Sequence, residues 1–314
     1  MTYLLCSCTA QKKEIPIPEL DIKTSTATTM EEQRSIWQQN LQKFFRKNTQ
    51  CQVLVREMYL GSIWVSIRNM LKHPFIDGGL VMSAGLGLVD FQQKIPSYAS
   101  TFVAGDADSI LGAGNLKNCR EWWYALHSKD DFQDWLKKHP NPKIISILPQ
   151  SYLHIAEELL EQFVESYGTQ NLLILSPNIQ SPILRSSCWV KTDSKMTHIV
   201  GGKMGDVSVR VLEWIVNKYP NQKVDFTQVR KECLELYEAC RNLEPILQMG
   251  EKQSDQEILE WISQTYQTHS GISRSTAHKK LREEGRACST SRFQKLFKTF
   301  LESQQGSLFS KDQF

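Results

Sequence analysis

Two short stretches of the chain gather the residue types that do chemistry. Ser7 closes a mainly apolar run at residues 3–7 with Cys8, Thr9 and Lys12 after it, and Ser83, Gly85 and Gly87 follow a second run at 79–82. Both runs read as buried strands. Ligands of α/β proteins bind outside the carboxyl ends of strands, and glycine lets the backbone approach them closely. The stretch that follows carries the carboxylates Asp90, Asp106 and Asp108 and the rings of Tyr98 and Phe102, while Tyr59 and Trp64 add flat faces upstream. These are the walls of a pocket: hydroxyls and bare backbone to hold a ligand, Lys12 to meet an anion, rings to stack on. A neighbouring carboxylate would stabilise positive charge that develops in a reaction. Simpler roles stay open, because a lone loop aspartate is commonly a turn residue and Tyr59 and Trp64 also suit a helix anchored to a sheet.

Other chemistries are excluded by missing motifs. Residues 83–89 hold G-x-G without the third glycine of a dinucleotide site, and Walker A, H-E-x-x-H, G-x-S-x-G and the paired zinc-deaminase motifs are absent. The eight cysteines (6, 8, 51, 119, 188, 233, 240 and 288) have no C-x-x-C spacing, which fits free thiols in a reducing compartment and no metal. No cofactor is expected. The chain has no run of eighteen apolar residues, and its start reads as a strand rather than a signal peptide. The expectation is a cytoplasmic protein without a membrane partner.

A net charge of +3 conceals an asymmetry. Between residues 269 and 300, eight Lys and Arg stand against two Glu, so this segment carries +6 and the rest of the chain −3. Such a footprint points to nucleic acid. A helix is expected at 275–284 with Gly285 as its left-handed stop, and a second helix after the N-cap Ser289. Phe293, Leu296, Phe297 and Phe300 form the buried stripe of that second helix. Arg274, Lys279, Lys280, Arg286, Arg292, Lys295 and Lys298, with Ser289, Thr290 and Ser291, are the candidate phosphate contacts. The competing reading is a solvated basic face on a packing helix.

These groups need a scaffold. Further strands are expected at 143–148 and 171–176, and helices at 30–47, 61–71, 115–126, 130–137, 151–166 (with Ser151 as N-cap) and 205–218. Strands alternating with helices imply an α/β fold with a parallel or mixed sheet covered on both faces, hence three layers. Strand-like runs stop near Pro220, which divides the chain into an α/β domain at 1–220 and a smaller all-helical, helix-turn-helix-like domain at 221–314, with linkers at 221–225 or 249–254. Residues 14–29, rich in Pro and Thr, read as a surface insertion.

The order of the motifs resembles a known family. LLCSCTAQKK, MYLGSIW and then VMSAGLGL are similar to the peroxide-stress YaaA-like proteins and to relatives sharing an α/β unit with archaeosine-synthase accessory domains. Ser7 to Lys13, Tyr59 with Gly61, Ser83 to Leu88, and Ile95 to Tyr98 carry the likeness, which covers the first third of the chain. The resemblance implies a uracil-DNA-glycosylase-like fold and a DNA glycosylase, with a hypermodified phage cytosine as one candidate target in phage defence. The G-Q-D-P-Y sequence of uracil-DNA glycosylases is absent after the first strand. The charge-stabilising carboxylate is therefore sought in Asp106 or Asp108, then Asp90. Tyr98, Phe102 or Tyr59 would stack the flipped base, with the backbones at Ser7–Thr9 and Ser83–Gly87 contacting base or phosphate. A tRNA or DNA base-exchange or base-modifying enzyme, and a non-catalytic DNA-binding stress protein, are the alternatives.

Overall fold

The computed structural model describes residues 1–47, 53–126, 129–244, 251–269 and 271–309; Cys51 lies outside them. Two compact units divide the chain, Met1–Pro245 and Ile246–Phe314.

The first unit is built on six strands: β1 (Thr2–Ser7), β2 (Gly78–Ser83), β3 (Gly87–Asp90), β4 (Lys143–Ser146), β5 (Leu172–Ser176) and β6 (Trp189–Lys191). Their order is β3-β2-β1-β4-β5-β6. All neighbours run parallel except β2 and β3, which form an antiparallel hairpin. Register places Leu5 beside both Leu80 and Ser146. The interior strands are short apolar runs buried along their length, as strands covered on both faces must be. Without β3, the order is second-first-third-fourth-fifth, a doubly wound sheet whose connections reverse between β1 and β4.

The covering helices are α1 (Met30–Lys47), α2 (Ser62–Met70), α3 (Leu116–Leu126), α4 (Lys129–Lys138), α5 (Gln150–Tyr167), α6 (Val207–Val216) and α7 (Phe226–Cys240). Helices α2, α6 and α7 pack in one group, and α1, α3 and α5 in another. The expected α/β class with a mixed sheet is observed.

Several boundaries differ from expectation. The first unit extends past residue 220, because α7 turns Phe226, Val229, Cys233 and Leu236 into the same core as the sheet. Glu232, nearly buried on that helix, is held by Lys218 at 2.8 Å and by the Tyr219 hydroxyl. Residues 14–29 are more than a surface insertion, since two short 3-10 turns place Leu20 and Ile22 in the core. Ser151 does not cap α5; Pro149 occupies the N-cap.

The second unit has its own core. Helices α8 (Asp255–Thr268), α9 (Arg274–Glu283) and α10 (Thr290–Phe309) enclose Ile258, Trp261, Leu281, Phe293, Phe297 and Phe300. It is not purely helical, because Glu251–Lys252 pairs in parallel with Arg286–Ala287. A full capping box between Ser254 and Glu257 starts α8, and Gly285 ends α9 at φ +76°.

Candidate functional site

At the carboxyl ends of β1 and β2 the structure brings together much of what the sequence singled out. The loop after β1 pairs with residues 58–60: Lys13 N–H donates to the Met58 carbonyl at 2.8 Å and Leu60 N–H to Gln11 at 3.0 Å. Lys12 therefore lies over the rings of Tyr98 (4.2 Å) and Tyr59 (5.9 Å), with its ammonium donating to the Thr9 carbonyl at 3.1 Å. Burial lowers its pKa, partly opposed by Cys8 and by Asp108. Cys8 Sγ is 3.3 Å from the Tyr152 hydroxyl.

Beneath Lys12 runs a chain of hydroxyls. Ser83 Oγ accepts from the N–H groups of Gly85 (3.2 Å) and Leu86 (2.9 Å), which uses both of its lone pairs. It therefore donates to the Tyr98 hydroxyl at 2.6 Å, which in turn donates to Tyr59 at 2.9 Å. Burial raises both phenol pKa values, so both rings stay neutral. Tyr59, Tyr98 and Phe102 are almost wholly buried, which removes them as stacking faces for a base in this structure. Trp64 packs on Tyr59 and Phe91, the anchoring role. The absent side chain of Gly85 serves Tyr98 rather than a ligand: a Cβ there would lie 2.4 Å from the ring. Gly87, at φ +75°, makes the turn into β3.

The three aspartates separate. Asp108 is half-buried and close enough to favour the charged form of Lys12. Asp106 is exposed, and its carbonyl closes a turn with Ser109. Asp90 is misplaced for the role expected of it. It pairs with Leu80, three residue pairs from the Ser83–Gly87 end and so roughly 10 Å away, and accepts from Trp135 Nε1 at 2.9 Å. There it lines a 460 Å³ cavity along the sheet edge with Phe45, Leu88, Trp135 and Lys138.

A second cavity, of about 110 Å³, opens at the switch point between β1 and β4. Ser7, Ile63, Ile147, Pro149, Gln150 and Met204 are among its walls. The space is smaller than the cavity of about 150 Å³ that accommodates benzene, so it admits the edge of a ring rather than a whole one. Helices α2, α5 and α6 all begin at its rim, with N-cap residues Gly61, Pro149 and Asp206 that supply no capping side chain. Their first-turn N–H groups and dipoles favour negative charge nearby. Asp206 accepts from Ser62 Oγ at 3.1 Å and partly offsets that potential. Ser7 is 9 % exposed, and its hydroxyl has no hydrogen-bond partner among the described residues.

Sequence reasoning reached Ser7 but missed the opposite wall. The signal was the run GGKMGD at 201–206, where Gly201 (φ +68°) and Gly202 (φ +84°) bend the chain into α6. Gln150 was missed because it was read as lying before its helix.

In the second unit, Ser289 caps α10, its hydroxyl accepting from Arg292 N–H at 3.3 Å. The side chains of Thr290 and Ser291 lie outside the described residues. Arg292 is engaged internally, donating to Asp255 at 2.6 Å. Lys279 and Lys298 pair with Glu283 and Glu302, Lys280 meets His269, and Arg286 meets Gln253 and Glu284. Arg274 and Lys295 are exposed without such partners among the described residues. Among the described residues no cluster of three or more His, Cys, Asp or Glu is placed to hold a metal, and no helix is long and apolar enough to cross a membrane. Compared with known proteins, the chain matches no family profile, no curated protein and no solved structure.

Proposed function

We propose that this protein is a DNA N-glycosylase with a uracil-DNA-glycosylase-like first unit, releasing a modified base from phage DNA in the cytoplasm. The observation that carries the reading is the 110 Å³ cavity at the β1/β4 switch point, lined by Ser7 and Gln150 and rimmed by three helix starts without a capping side chain.

A flipped base would enter that space by its edge, with Ile147, Pro149 and Met204 as apolar walls and Ser7 and Gln150 as polar partners. Breaking the N-glycosidic bond leaves the electron pair on the base, and the helix starts stabilise the resulting negative charge. Positive charge builds on the sugar, where Asp108 is the carboxylate best placed beside Lys12 to offset it and orient water. The basic second unit supplies affinity for phosphates, through Arg274 and Lys295 first.

The test is incubation of the full chain with phage DNAs bearing different modified cytosines, followed by assay for released base and abasic sites. Release from at least one DNA is the expected result. If every DNA stays intact while still being bound, the glycosylase reading fails and the non-catalytic DNA-binding reading replaces it.

A further inference from the structure

Lys12 is the unusual lysine of the first unit. Lys218 and Lys143 also lie over aromatic rings, but each has a carboxylate partner, Glu232 and Asp225 respectively. Lys12 has none within ion-pair distance among the described residues, only the Thr9 carbonyl at 3.1 Å and the Tyr98 and Tyr59 rings. An amine held against aromatic rings, short of water and without a counter-ion in contact, loses its proton more readily than one in solution. Lowering of the Lys12 pKa by burial agrees with that geometry. The ammonium is one hydrogen bond from Thr9, two residues beyond Ser7 in the cavity wall. That places it within roughly 10 Å of Ser7, the reach from the far edge of a base to its sugar.

We propose that Lys12 is a Schiff-base nucleophile toward the aldehyde form of an abasic deoxyribose, giving the protein a strand-cleaving lyase activity. The inference rests on the nucleic-acid reading of this site but does not require base excision by the same protein. Neutral Nζ adds to the C1′ aldehyde carbon, the carbonyl oxygen leaves as water, and the product is a protonated imine. The imine acidifies C2′, whose proton passes to Asp108 as the electron pair forms the C2′–C3′ double bond. The C3′–O bond breaks, and the 3′-phosphate departs with its electron pair. Hydrolysis of the imine then restores the lysine. No oxidant or reductant takes part.

The test uses a duplex carrying one preformed abasic site, mixed with the full chain and sodium borohydride, which reduces an imine to a stable secondary amine. A covalent protein–DNA adduct that maps to the Lys12 peptide is expected, as is strand cleavage when borohydride is omitted. Lys12→Arg keeps the cation over Tyr98 and should retain the thermal midpoint while losing at least tenfold in both adduct and cleavage. Lys12→Met should lose both as well. Trapping should also persist to lower pH than that of a free lysine analogue. No adduct with the unsubstituted protein, an adduct on another amine, or undiminished trapping by Lys12→Arg overturns the proposal. Because the substrate already lacks its base, trapping without release of any base from intact DNA would uphold this inference and sink the glycosylase reading alone.

Discussion

The hydroxyls of Ser83 and Tyr98 lie 2.6 Å apart with both residues fully buried. Since Ser83 already accepts two backbone N–H groups, its proton has Tyr98 as its acceptor, and Tyr98 serves Tyr59 in turn. Tyr98→Phe leaves two buried hydroxyls short of a partner. The expected cost is about 1–3 kcal/mol, seen as a lower denaturant midpoint at unchanged slope. An unaltered midpoint would show that the network contributes nothing net to stability.

His73 sets a pH dependence. Its Nδ1 accepts from Phe75 N–H at 3.2 Å, so Nε2 carries the proton and donates to the Tyr219 carbonyl at 2.7 Å. Burial lowers the pKa of His73, and a second proton on Nδ1 would also face the Phe75 N–H. The unfolded chain, with a histidine pKa of about 6.5, then binds the proton at higher pH than the folded chain does. His73 therefore contributes stability above that pH, and the contribution fades as pH falls toward the folded pKa. Thermal midpoints between pH 7.5 and 5 should fall with acid, and more steeply for the unsubstituted chain than for His73→Asn. Parallel slopes would remove His73 as a cause.

Lys295 and Arg292 should behave differently although both belong to the basic helix α10. Lys295 is exposed without an ion partner among the described residues, whereas Arg292 is tied to Asp255 within the second unit. Lys295→Ala is expected to weaken binding to duplex DNA uniformly and to reduce the slope of log affinity against log salt by about 0.9. Arg292→Ala should chiefly lower stability, by about 1 kcal/mol or less for a half-exposed pair. Equal salt slopes for Lys295→Ala and the unsubstituted protein would return the helix to a packing role.

Much of this molecule was legible from local pattern, and the failures share a physical cause. Met30–Lys47 and Leu172–Ser176 were readable because their apolar spacing reports burial directly. Asp90 was misread because the Gly-rich stretch before it resembles a ligand loop, although the chain doubles back there as the edge strand β3. The helix Phe226–Cys240 carries an apolar stripe but no sign of which core it serves. Ser7 and Lys12 were found because Ser7 ends an obvious strand and Lys12 lies in the loop that follows it. Met204 and Gln150 were not, since a cavity wall assembled across 200 residues of chain leaves no local spacing to read.

Asp108 and Asp90 give a direct contrast under the glycosylase reading. Asp108 stands by Lys12, whereas Asp90 holds Trp135 Nε1 toward the other end of the sheet. Asp108→Asn should slow base release by about 100-fold or more while binding is kept. Asp90→Ala should leave the rate unchanged and cost about 1–3 kcal/mol through the orphaned Trp135 donor. A rate loss confined to Asp90→Ala would reverse the assignment.

Ser7 tests the cavity itself. It is nine-tenths buried and its hydroxyl makes no hydrogen bond among the described residues, so removing that hydroxyl should leave the fold undisturbed. Ser7→Ala is expected to shift the thermal midpoint little and to weaken a flipped base by the worth of one hydrogen bond, roughly tenfold in rate over Michaelis constant. Ser7→Leu occupies part of the 110 Å³ space and should abolish turnover, while duplex binding through the second unit persists. Exclusion by volume of a ring edge from that space predicts this graded pair of effects. If Ser7→Leu turned over as fast as the unsubstituted protein, the base would have to bind elsewhere, and the 460 Å³ cavity beside Asp90 would be the next place to probe.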